Sequence, residues 1–219
     1  MESSAMEARR ERDIRERREE VVNEIKDRLL SKIPLRYVAA DEAPPTALAW
    51  IADPRDTLLL TGPKGTGKTH AAWSLYRTWV RDLSFEQLSR EHPPIRFWSL
   101  PSFIDRLRPG NEEYTKPGPS WDGAQSSERI DHMVQAQTTR LLILDDVGAE
   151  RLTDWSREQL FMLTDHRYNH MLPTAFTTNL PPSEFKQNVG DRISDRIAHG
   201  LTLVTMAGQS RRLPREGGE

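Results

Sequence analysis

The chain has 219 residues and a mass of 25.2 kDa, enough for one α/β domain of ordinary size with short appendages. Its 31 basic and 33 acidic residues nearly cancel, which excludes a histone-like basic protein, and the lack of any cysteine excludes disulfides, a thiol nucleophile, iron–sulfur clusters and thiolate zinc sites. No apolar run approaches the roughly 18 residues that a bilayer span needs, and the opening residues do not read as a signal peptide, so a cytoplasmic protein with no membrane partner is expected.

Charge concentrates at the start, where 19 of the first 36 residues are charged. From Glu7 to Ile33 no Pro or Gly interrupts the chain, and Ile14, Val21, Ile25, Leu29 and Ile33 recur at helical spacing with Val22 and Leu30 beside them. The pattern predicts one long helix, too polar for a core element, with a narrow apolar stripe and an end at Pro34. The stripe suits docking on the protein's own core and insertion into a partner's groove equally well. Residues 1–36 are therefore read as a charged helix and candidate partner-binding arm, 37–212 as the folded core and 213–219 as a disordered tail.

Within the core, five short apolar runs read as buried strands: Thr57–Thr61, Ile95–Leu100, Arg140–Asp145, Thr174–Thr178 and Leu201–Met206. Helices are predicted between and around them at Lys68–Asp82, Ser102–Leu107, Ser126–Thr138, Trp155–Met171 and Asp191–His199. Strands alternating with helices imply an α/β fold with a five-stranded parallel sheet covered on both faces. Asp82–Pro94 and Pro109–Gly123 resist regular structure, the second with three Pro and three Gly in 15 residues around Tyr114, Lys116 and Trp121. Beside Arg106 and Arg108, that aromatic and basic loop is a candidate contact for single-stranded DNA.

Residues 62–69 read Gly-Pro-Lys-Gly-Thr-Gly-Lys-Thr, a complete Walker A motif directly after a strand and opening a helix. The glycines allow a tight turn in which the N–H groups of Gly62, Pro63's successors Lys64, Gly65, Thr66 and Gly67, and the helix start through His70 converge on phosphate oxygens. Lys68 is expected to reach the β- and γ-phosphates of ATP, and the Thr69 hydroxyl to bind Mg²⁺. Leu141–Asp146 is four apolar residues ending in two carboxylates, the Walker B pattern. A buried parallel strand beside the first would deliver Asp145 to the outer coordination sphere of the metal at the C-terminal sheet edge, and Asp146 would orient or deprotonate the attacking water.

Taken together these motifs resemble the AAA+ ATPases, specifically the DnaC/DnaI-type helicase loaders and IstB-type transposition helpers. The resemblance also draws on Lys32–Tyr37 (KIPLRY), the Gly148 and Glu150 that follow Walker B, Thr177–Leu180 (TTNL), Gly190–Gly200 (GDRISDRIAHG) and Gly208–Arg212 (GQSRR). It implies a P-loop core with Asn179 as sensor 1 and Arg196 as an arginine finger acting in trans within a self-oligomer, Arg192 being the competing candidate. Arg211 and Arg212 are implied to meet phosphate or DNA. Asp146 stands where motors of this class use the longer Glu, so slow hydrolysis is expected, and the few residues after Met206 leave no room for a helical lid. The resemblance implies a loader that delivers a replicative hexameric helicase onto single-stranded DNA. The alternatives are a transposition helper for duplex DNA and a transposase, or a nucleotide-gated adaptor without turnover.

Overall fold

The computed structural model describes residues 2–88, 93–108, 117–119, 125–129, 132–148 and 151–208. Tyr114, Lys116, Trp121, Glu150, Arg211, Arg212 and the tail lie outside them. The chain opens with helix α1 (Glu2–Leu30), followed by the short α2 (Leu35–Val38) and α3 (Pro45–Ala52). Then come β1 (Thr57–Thr61), α4 (Lys68–Arg81), β2 (Ile95–Ser99), α5 (Leu100–Leu107), β3 (Pro117–Pro119), β4 (Gln125–Arg129) and α6 (His132–Thr138). The last elements are β5 (Leu141–Asp145), α7 (Asp154–Asn169), β6 (Thr174–Thr178), α8 (Pro182–Val189), α9 (Asp191–Ala198) and β7 (Thr202–Thr205).

The five predicted strands form one parallel sheet in the order β2-β5-β6-β1-β7. Alternation at period two sends neighbouring apolar residues to opposite faces, which is why the runs are apolar throughout. Leu58, Leu60, Leu141, Ile143 and Ala175 join one buried cluster with residues of α1, α3 and α4. Leu59, Leu142, Leu144 and Phe176 join a second with residues of α5 to α9. The sheet order corrects one expectation: β5, which carries Asp145, is not beside β1, because β6 intervenes and pairs with both.

Several helices begin where the sequence looks broken. Proline lacks an N–H that the first helical turn does not need, so Pro45 and Pro182 open α3 and α8. Side-chain caps start two others: Ser99 accepts from Ser102 N–H at 3.3 Å and Thr153 from Ser156 N–H at 3.1 Å. Among the described residues of the Asp82–Pro94 segment, a 3-10 turn at Phe85–Gln87 is closed by Ser84 N–H donating to Gln87 Oε1 at 2.7 Å. The helix predicted over Ser126–Thr138 is shorter, since Gln125–Arg129 pairs antiparallel with Pro117–Pro119 and helix begins at His132. Paired serines hold helix weakly, and pairing with the preceding segment satisfies the backbone instead.

The stripe of α1 docks on the protein's own core at its C-terminal end. Leu29 and Ile33 are buried in the cluster around α4, with Ile25 and Leu30 against it, while Ile14 and Val21 remain exposed. Tyr76 O–H donates to the Leu29 carbonyl at 3.2 Å, and Lys26 Nζ to that of Arg81 at 2.6 Å. The exposed part carries ion pairs one turn apart, such as Arg15–Glu19 at 3.1 Å.

Candidate nucleotide-binding site

Parallel strands deliver their C-terminal ends to one edge of the sheet, and the predicted motifs meet there. A cavity of about 320 Å³ is lined by Lys64, Gly65, Gly67, Lys68, Thr69 and His70 from the loop after β1 and the start of α4. Asp146 from the end of β5, and Thr177 and Asn179 from the end of β6, complete that wall. Gly67 takes a φ of +96°, and a Cβ on Gly62 would lie 2.1 Å from the Met206 carbonyl oxygen at the end of β7. The loop therefore needs glycine at both positions, once for its backbone conformation and once for close approach.

Lys68 is buried rather than facing solvent, and its Nζ donates to the Gly62 and Pro63 carbonyls at 2.7 and 2.8 Å. Thr66 Oγ1 also donates to Pro63, at 3.0 Å, closing the loop on itself. The Thr69 hydroxyl lies 3.1 and 3.2 Å from the two carboxylate oxygens of Asp145. Thr177 Oγ1 donates to Asp145 Oδ1 at 2.6 Å and accepts from Asp146 N–H at 2.9 Å. Asn179 Nδ2 donates to Asp146 Oδ1 at 2.7 Å. Asp146 itself sits in the left-handed region at φ +63°, which few residues other than Gly adopt and which Asp tolerates.

Burial pushes the carboxyl of Asp145 above its ordinary value, and the nearby charge of Asp146 adds to this; the hydroxyls of Thr177 and Thr69 and the ammonium of Lys68 pull the other way. Thr69 and Asp145 offer hard oxygen donors side by side. That set suits Mg²⁺, which takes one or two protein oxygens and fills its remaining positions with water and substrate phosphate.

Three lining residues had no role assigned from the sequence. Arg36 and Tyr37 come from α2, with the Tyr37 ring edge-on to His70 at 4.8 Å and stacked on Trp73 at 6.0 Å. Both stand in the KIPLRY stretch, so a signal existed, but only folding brings α2 against α4. Thr177 lies in TTNL, two residues before Asn179.

Arg196 is not brought to this cavity. Its Nε donates to Asp165 of α7 at 3.0 Å, and it lines a separate cavity of about 340 Å³ with Asp56, Thr57 and Thr174, at the opposite end of the sheet. Arg192 lies over the Phe161 ring at 3.8 Å, with Arg196 at 5.5 Å from the same ring, so both face α7.

A phosphate loop, an acidic pair and a polar strand end at one edge of a five-stranded parallel sheet are the features of an AAA+ P-loop ATP-binding core. Residues 121–217, less than half of the chain, match the family model described as IstB-like ATP binding protein. The replicative helicase loader DnaI of Bacillus subtilis is 25% identical over 194 residues, covering 81% of this chain and 58% of its own length. An insertion sequence ATP-binding protein of Sinorhizobium fredii is 29% identical over 168 residues, covering 74% of this chain and 59% of its own. This chain thus spans less than two thirds of either relative. Among solved structures, the DnaC helicase loader superposes with a TM-score of 0.60 at 20% identity, covering 80% of this chain and all of that one. The resemblance to AAA+ ATPases of the helicase-loader and IstB type therefore holds in sequence and in fold.

Proposed function

We propose that the protein is an ATP-hydrolysing switch that loads a hexameric replicative helicase onto single-stranded DNA. The observation that carries the ATPase part is the convergence of Lys68, Thr69, Asp145, Asp146 and Asn179 at one sheet edge. In this reading the P-loop N–H groups and the helix start hold the phosphates, and Lys68 leaves its loop carbonyls for the β- and γ-phosphate oxygens. Thr69 and Asp145 are the residues that would hold Mg²⁺, which would neutralise charge on the phosphates. Asp146, held by Asn179, orients the attacking water, and Asn179 meets the γ-phosphate side of the site. Hydrolysis is slow, because the short side chain of Asp146 stops further from that water than a Glu would. A self-oligomer supplies Arg196 in trans, and the protein acts in the cytoplasm.

Lys68→Ala tests the site: calorimetry should show ATP affinity lost while the thermal transition remains cooperative. Equal affinity in mutant and wild type overturns it. DnaI, 25% identical over 194 residues, and the insertion sequence protein, 29% identical over 168, are equally close relatives, and the loader reading draws on the first. The match of residues 121–217 to the IstB-like model favours the second reading, a helper that binds duplex DNA and a transposase. Fluorescence titration with single- and double-stranded oligonucleotides in the presence of ATP separates the two. Tighter binding of the single strand, with helicase retained in a native pull-down, supports the loader; preference for duplex supports the helper. ATP binding with no turnover under either condition would leave a nucleotide-gated adaptor.

A further inference from the structure

We propose that Thr177 is a positioning residue of this site, coupling the metal-facing carboxylate of Asp145 to the conformation of Asp146. A hydroxyl has one proton and two lone pairs, and Thr177 uses both capacities here. The proton goes to Asp145 Oδ1 at 2.6 Å, and a lone pair takes the Asp146 N–H at 2.9 Å. Thr177 is 2% exposed, so neither bond is screened by water. It stands on β6, the strand between the two that carry the Walker motifs, where one side chain reaches β5 and borders the nucleotide cavity.

Removing the hydroxyl acts on both acids. Asp145 loses a charged hydrogen bond that holds its carboxylate against the Thr69 hydroxyl. The amide of Asp146 loses its acceptor, and with it the anchor for a φ of +63° that a non-glycine residue seldom holds. Relaxation to negative φ turns the Asp146 carboxyl away from Asn179. A second bond, from Val147 N–H to the Thr177 carbonyl at 2.8 Å, does not involve the hydroxyl and still ties the segment after Asp146 to β6. Thr177 therefore sets alignment, while the phosphate loop holds the nucleotide without it.

The inference rests on the ATP-hydrolysing reading, and its test separates the two. Thr177→Val and Thr177→Ser in the full chain are compared with wild type for ATP affinity by calorimetry, in EDTA and in Mg²⁺, together with turnover and thermal unfolding. In Thr177→Val, affinity in EDTA should stay within about twofold, while the affinity gained on adding Mg²⁺ shrinks and turnover falls about ten- to a hundredfold, the weight of a hydrogen bond to a charged group. Thr177→Ser keeps the hydroxyl and should restore both. The proposal is overturned if Thr177→Val keeps the Mg²⁺ gain and the turnover, if Thr177→Ser fails to restore them, or if affinity in EDTA falls in step with thermal stability. Wild-type protein that shows no ATP binding overturns the nucleotide reading itself, before any Thr177 variant is compared.

Discussion

Arg167 is a buried cation whose hydrogen bonds, among the described residues, go to carbonyls and a hydroxyl and to no carboxylate. Its Nε donates to Thr174 Oγ1 at 2.7 Å, Nη1 to the Ala136 and Thr139 carbonyls at 2.8 Å each, and Nη2 to the Pro173 carbonyl at 2.6 Å. Burial lowers its pKa, and the carbonyl dipoles offset that cost by satisfying its donors. The guanidinium thus joins the end of α6 to the entries of β5 and β6. Lysine carries three donors on one atom and does not match this fork. Arg167→Lys should lower stability by about 2–3 kcal/mol in urea unfolding, because buried carbonyls lose their partners. A loss below about 0.5 kcal/mol, typical of surface positions, would show that the network carries little stability. Arg167 was invisible in a chain with 25 arginines. The Walker residues were legible because they are consecutive, whereas nothing local distinguishes a buried arginine from a solvated one.

Among the elements, α1 shows how periodicity reports a face and not what covers it. The spacing of Ile25, Leu29 and Ile33 was visible, but their neighbour is α4, a partner set only by the fold. Replacing Ile25 and Leu29 together by Glu would put carboxylates into that packing, so such a pair reports on the fold before it reports on a helicase. Truncation within α1 is more informative. Leu29→Ala should destabilise by about 2–5 kcal/mol, the range for buried leucines, while Ile14→Ala, at an exposed position, should stay within about 0.5 kcal/mol. Equal and small effects in denaturant unfolding would detach α1 from the core. An Ile14 variant that folds normally is then the suitable probe of the exposed half of α1 as a partner-binding arm.

At the scale of the whole molecule, the sheet separates the nucleotide cavity from Arg196. The nucleotide cavity lies beyond the C-terminal ends of β1, β5 and β6, while Arg196 lies near the N-terminal ends of β1 and β6. One subunit does not bring Arg196 to its own cavity, an arrangement compatible with delivery to a neighbour. Turnover per subunit should then rise with protein concentration, since an arginine supplied in trans contributes about 10³–10⁵ in other phosphoryl transfers. Mixing Arg196→Ala with Lys68→Ala subunits should recover activity at sites with one intact pocket and one intact finger. Recovery with Arg192→Ala but none with Arg196→Ala transfers the role to Arg192. Turnover that is flat across concentration removes the trans contribution altogether.

Local chemistry determined much of this protein in advance. Apolar runs of strand length, a Gly-rich loop before a helix and a pair of acids after a strand are written over short stretches, and their physics acts over the same range. Tertiary structure alone decided that β6 stands between β1 and β5, that Tyr37 meets His70, and that Thr177 holds two carboxylate residues from the next strand. Those facts depend on which apolar faces meet. Many pairings of similar leucine- and threonine-rich strands satisfy the same pattern, and only packing the complete sheet between its helices selects one.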